Sequence, residues 1–152
     1  MAWKRLSEQS ATDLLSKVLV DCSMLSIKSG VTYTEITFFD ETSQEFVLSC
    51  TELHLPDPDL WEGVLKAAPI DLLRPFDQQT LLSAICLYSV MGVHKIQAVE
   101  AVADGDVFLS FTNGAKLIVK GKVDRVELEW ELSGAEGGIA CSEFGVIYAP
   151  ES

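Results

Sequence analysis

Two histidines, four cysteines and a run of alternating glutamates are the residues here whose types and spacing invite a chemical reading. A Ser–His or Cys–His nucleophile needs the base held beside the nucleophile by the fold. Neither His54 nor His94 is accompanied by a G-x-S-x-G turn or a cysteine-protease signature. A strand-end histidine with a satisfied hydrogen bond is the expectation for both. Cys22, Cys50, Cys86 and Cys141 are widely separated, with no C-x-x-C pair and no clustered histidines, so no metal site is expected. Cys22, Cys50 and Cys86 each lie in an apolar or alternating segment, where cysteine acts as a small hydrophobe, and free buried thiols follow. Gly134-Ala-Glu-Gly-Gly138 lacks the Lys-Ser/Thr and the following helix of a phosphate loop, and reads as a connection between strands. These residues nominate no catalytic group, no metal ligand and no cofactor.

The glutamates are different. Val123 to Leu132 alternates as a strand, with Val126, Leu128, Trp130 and Leu132 on one face and Glu127, Glu129 and Glu131 on the other. Carboxylates two residues apart lie about 7 Å from one another along such a strand and repel. They lack the cleft and sugar platform that paired acids need for glycoside hydrolysis, and on a flat strand they do not converge on one ion. The plain expectation is a wetted outer sheet face; the functional one is a contact ridge for lysine and arginine.

Charge supports the second. The chain has 23 acidic and 11 basic residues, a net charge of −12, and its charges are segregated. Between Lys28 and Lys66 stand eight acids and no cation, among them Asp40, Glu41 and Glu45, which form a second candidate surface. After Arg125 stand six more acids, again with no cation. Such a balance argues against nucleic acid and anionic membranes as direct partners and in favour of a basic protein. No run approaches the roughly 20 apolar residues of a membrane span, and the N-terminal Met-Ala-Trp-Lys-Arg has no apolar stretch behind it, so a cytoplasmic location is expected.

The elements that must position these residues fit one domain of 152 residues. Ser10-Ala-Thr-Asp13 has capping-box spacing, and Leu14, Leu15, Val18 and Leu19 predict a helix over Ser7–Asp21. Thr32 to Phe39 and Glu45 to Thr51 form a hairpin about the Asp40–Ser43 turn. Asp57-Pro58 opens a second helix bearing Trp61, Val64 and Leu65, and Asp77 caps a third over Gln78 to about Val90. Strands follow at His94–Ala103, Val107–Phe111, Lys116–Gly121, Val123–Leu132 and near Phe144–Ala149, with Asn113-Gly114 as a two-residue hairpin turn. The fold class is α+β, mainly antiparallel sheet with two or three helices. Leu14-Leu15-Ser16 recurs as Leu81-Leu82-Ser83, and Ile36-Thr37-Phe38 with Phe46-Val47-Leu48 parallels Leu109-Ser110-Phe111 with Leu117-Ile118-Val119, which suggests a pseudo-repeat of two helix-plus-hairpin halves.

Through the hairpin Val107-Phe-Leu-Ser-Phe-Thr-Asn-Gly-Ala-Lys-Leu-Ile-Val119 and Val126-Glu-Leu-Glu-Trp-Glu-Leu132 the chain resembles small bacterial immunity proteins of the contact-dependent growth inhibition type or a related one. The resemblance covers the C-terminal third. It implies an acidic cytosolic protein that blocks a basic, nuclease-type toxin by direct binding, without chemistry of its own. The alternative is an acidic chaperone for a secreted effector of the type III kind, which Leu14-Leu15 and Phe38-Phe39-Asp40 resemble and the β-rich C-terminal half does not. An enzyme is the third reading. The expected partner-binding residues are Glu127, Glu129 and Glu131, with Asp40, Glu41 and Glu45 as the second surface.

Overall fold

Ser7 fixes where the helix begins. A computed structural model describes residues 2–29, 33–54, 94–112, 114–122, 128–134, 138–142 and 145–151. In it α1 spans Glu8–Leu19, and the Ser7 Oγ accepts from the Ser10 backbone N–H at 3.1 Å. The cap therefore lies one residue before the first helical turn, not at Ser10. Asp13 instead accepts a hydrogen bond from the Gln9 side chain at 2.8 Å, one turn away along the helix. Ala11, Leu15 and Leu19 form the buried stripe, and the chain leaves the helix through Val20 in an extended conformation.

The strands are β1 (Trp3–Arg5), β2 (Ser23–Ser29), β3 (Thr34–Phe39), β4 (Glu45–Cys50), β5 (Leu53–His54), β6 (Ile96–Ala101), β7 (Val107–Phe111), β8 (Lys116–Val119), β9 (Leu128–Ser133), β10 (Ile139–Ser142) and β11 (Ile147–Pro150). Every pairing among them is antiparallel. Seven form one sheet in the order β1-β11-β10-β9-β4-β3-β2, and four form a second in the order β5-β8-β7-β6.

The sheets are stitched at two corners. At one, Ser23 bridges Lys95, the Asp21 N–H donates to the Ile96 carbonyl, and the Ile96 N–H donates to that of Cys22, each at 2.9 Å. At the other, β4 runs through Thr51 and Glu52 into β5, and the Lys120 N–H donates to the Glu52 carbonyl at 3.0 Å. Alternation then turns one face of each strand inward: Ile36 and Phe38, Phe46 and Leu48, Leu109 and Phe111, Leu117 and Val119, Trp130 and Leu132 are all buried in a single cluster.

α1 closes the open edge of β6. The Thr12 hydroxyl oxygen accepts from the Ala101 N–H at 2.9 Å, and the Ser16 hydroxyl donates to the Val99 carbonyl at 3.2 Å. Four helix residues rise about 6 Å and two strand residues span about 6.6 Å, so hydroxyls four apart on the helix meet alternate residues of the strand. An edge covered this way cannot recruit another strand at those positions.

The turn between β6 and β7 is held from three sides. Asp104 and Gly105 both have positive φ, 62° and 73°. The Trp130 Nε1–H, on the opposite sheet, donates to the Gly105 carbonyl at 2.8 Å. A Cβ at Gly121 would lie 2.1 Å from the Gly105 carbonyl carbon, and one at Gly145 would lie 2.3 Å from the Asp104 oxygen. Asp106 secures the turn's exit, accepting from Lys120 Nζ at 2.8 Å and from the Gly121 N–H at 2.9 Å.

The architecture is thus mixed, mostly antiparallel sheet with one helix among the described residues. The second and third expected helices lie outside those residues, as does residue 113 of the Asn-Gly turn. The two hairpins of the suggested repeat do not share a register: Ile36 pairs with Leu48, whereas its counterpart Leu109 pairs with Leu117 and not with Val119.

Candidate functional site

One residue from each strand of the seven-stranded sheet forms a continuous row across its outer face. The partners in register are Lys28, Glu35, Ser49, Glu131, Ala140, Tyr148 and Arg5. Residues directly opposite in an antiparallel ladder share a face, so the row has cations on the two edge strands and carboxylates inside. Glu35 and Glu131 flank Ser49, two strand spacings apart, or about 9.5 Å. Glu131 is exposed and Glu35 half-buried; Glu45, on the same face of β4, is exposed at the hairpin end. Lysine and arginine at the two sheet edges discourage edge-to-edge pairing with another chain, and the middle is left acidic.

The ridge expected along β9 is not what forms. Glu131 is exposed, but Glu129 is fully buried, and its backbone carbonyl accepts from the Thr51 N–H at 3.1 Å. Glu127 lies outside the described residues. The β9–β10 register shifts here, with Cys141 opposite Trp130 and Ser142 opposite Leu128, so Glu129 is the extra residue of a bulge and the alternation that exposes Glu131 does not carry through to it. The acidic feature runs across the strands, through Glu35, instead of along one of them.

Asp40, Glu41 and Glu45 are placed differently from one another. Asp40 organises the β3–β4 turn: its Oδ1 accepts from the Thr42 N–H at 2.8 Å, the Thr42 hydroxyl at 2.7 Å and the Gln44 N–H at 3.0 Å. The Thr42 hydroxyl, followed by the Gln44 and Thr42 amides, holds this carboxyl below the usual range. Glu41 reaches towards Lys95 at 3.8 Å with most of its side chain in solvent, a pair of little energetic weight. Glu45 faces outward with Glu35 and Glu131.

The side chains first considered for chemistry have ordinary surroundings. His54 Nε2 lies 2.7 Å from Glu52 Oε1, both about half exposed. His94 Nδ1 lies 3.4 Å from the Thr112 hydroxyl. Burial, with Asp40 and Asp21 adding to it, pushes the Cys22 thiol up to about 11, and burial pushes that of Cys50 up to about 12. Both are free thiols, protonated at neutral pH, without the thiolate a nucleophile needs. Among the described residues no group of three His, Cys, Asp or Glu side chains is placed to hold a metal ion, and no helix is long and apolar enough to cross a membrane.

A cleft that the sequence did not announce opens beside the start of α1. Its volume is about 1260 Å3, and its walls come from Arg5–Gln9, Thr12, Ala98–Val102, the Asp104-Gly105 turn and Gly145–Ile147. Three chain segments far apart in sequence supply it, so no local pattern could have revealed it. Glu35 is a different omission, since it belonged to the acid-rich stretch but became a site residue only through its register with Ser49 and Glu131.

Compared with protein-family models, curated proteins and solved structures, the chain matches none.

Proposed function

We propose that the chain is an acidic protein-binding module that docks a basic partner on the outer face of its seven-stranded sheet, as an immunity protein neutralising a nuclease-type toxin would. The observation that carries this reading is the row in which Glu35 and Glu131 flank Ser49 between cationic edges. A carboxylate pair on a rigid sheet steers a basic partner electrostatically and offers it fixed acceptors. The net charge of −12 extends that field beyond the contact itself.

The test begins with the genes flanking this chain's own, where the reading expects a basic toxin domain to be encoded. Co-expression of the chain is expected to restore growth, and the two proteins are expected to co-purify. Glu35→Gln with Glu131→Gln should then slow association by about tenfold at low ionic strength and flatten its salt dependence, with little change in dissociation. Unchanged association in that variant removes the sheet face from the reading. Failure to protect, together with co-purification of a secreted effector, replaces immunity with the chaperone function.

A further inference from the structure

The cleft at the start of α1 is the second place where the acidity of the chain coincides with a shaped surface. We propose that it receives an arginine-bearing, extended segment of the basic protein partner, an inference that rests on the reading of the chain as a module for such a partner.

Size comes first. At about 1260 Å3 the cleft exceeds the roughly 300–1,000 Å3 of an ordinary small-molecule site and has room for several residues of chain. Its sign comes second. Among the described residues the charged side chains on its walls are Glu8, Glu100 and Asp104 against Arg5, three carboxylates to one guanidinium, which leaves −2. All four are exposed. The N-terminus of α1 adds about half a positive charge, and the Ser7 Oγ already takes one of its N–H groups, so the walls remain negative.

Rigidity comes third. The backbone carrying Asp104 is fixed by the close approaches of Gly121 and Gly145 and by the Trp130 hydrogen bond to Gly105. A site whose floor is already ordered loses little entropy on binding. The mode of recognition follows from β6: Ala101 and Val99 already bond Thr12 and Ser16 of α1, so an incoming segment cannot simply extend the sheet there. Side chains must do the reading, and a guanidinium pairs with carboxylates in a bidentate geometry that an ammonium lacks.

The experiment titrates the full 15N-labelled chain with the blocked peptide acetyl-Gly-Arg-Gly-Arg-Gly-amide and, separately, with inorganic phosphate. Saturable shifts are expected with the peptide at Gln9, Ala101, Gly105 and Val146. Glu100→Gln with Asp104→Asn should weaken that binding by about tenfold, the loss of two exposed charge-assisted contacts. Asparagine tolerates the positive φ at position 104, and the spectrum itself reports that the variant is folded. Shifts that spread over the whole surface without saturating overturn the proposal, as does saturation by phosphate in place of the peptide. With the toxin domain as partner, the same variant should dissociate about tenfold faster. If the Glu35/Glu131 variant slows association while the Glu100/Asp104 variant changes neither rate, the cleft assignment falls and the module stands. If neither variant changes anything, both fall.

Discussion

Asp40 shows how a carboxylate in an acid-rich stretch can serve the fold. Three donors converge on its Oδ1, and they span the whole β3–β4 turn. Asp40→Ala should therefore lower the urea midpoint at pH 7, while Asp40→Asn, which keeps the acceptor oxygen, should lower it less. The pH dependence has a definite sign. The folded carboxyl ionises below its ordinary value of 3.8, so its stabilisation is complete above that pH and is lost as pH falls through the folded value. Replacing Asp40 with Ala or Asn should flatten the loss of stability as pH falls below 3.8. A midpoint unchanged in Asp40→Ala would mean that the backbone bonds of the turn, Asp40 N–H to Gln44 and Ser43 N–H to Asp40, suffice. Glu129 and Glu131 teach the complementary lesson. Their spacing predicts one shared face; burial of one and exposure of the other accompanies the bulge at Glu129, where the register with β10 shifts by a residue, and the alternating sequence does not mark that shift.

At the scale of elements, the β6–β7 turn is where the two sheets are locked together. Trp130→Phe removes the Nε1–H, with the part of the buried indole that a phenyl ring does not fill, and leaves the Gly105 carbonyl without that donor, a loss of about 1–3 kcal/mol for the hydrogen bond alone. Gly121→Ala should be worse, about 3 kcal/mol or more, because the new methyl meets backbone that cannot rotate away. Urea unfolding of the two variants checks the order; an alanine at 121 milder than the phenylalanine at 130 would show that the turn has slack. The elements were unevenly legible. The β3–β4 and β7–β8 hairpins, with their β-branched alternation and polar turns, and α1, with its apolar stripe, stand out in the chain itself. β1 and β10 do not. Trp3–Arg5 is three polar or amphipathic residues whose extended form depends on β11, and Ile139–Ser142 is a four-residue strand beside a glycine-rich loop. Ser10–Asp13 has the same spacing one turn after the Ser7 cap, so the sequence alone does not distinguish the two positions.

The whole molecule carries −12 on two sheets stitched at two corners, and that self-repulsion opposes the compact state. Added sodium chloride up to about 0.15 M, where the screening length is about 8 Å, should raise the melting temperature. The rise is about 2–4 °C for each kcal/mol of repulsion relieved. A melting temperature that falls with salt would mean that local pairs such as Lys120–Asp106 outweigh the net charge. The order of strands in the large sheet has a further consequence, for the chain as it is being made. β4 lies between β3 and β9, and Cys50 faces Trp130, eighty positions later. At about 5–20 residues per second, a ribosome needs roughly 4–16 s to deliver that partner. Throughout that interval the β2–β3–β4 meander has an unpaired ladder beside an apolar face bearing Phe46 and Leu48, the kind of edge that recruits neighbouring chains. Synthesis is therefore this protein's most exposed moment, and β9 ends it.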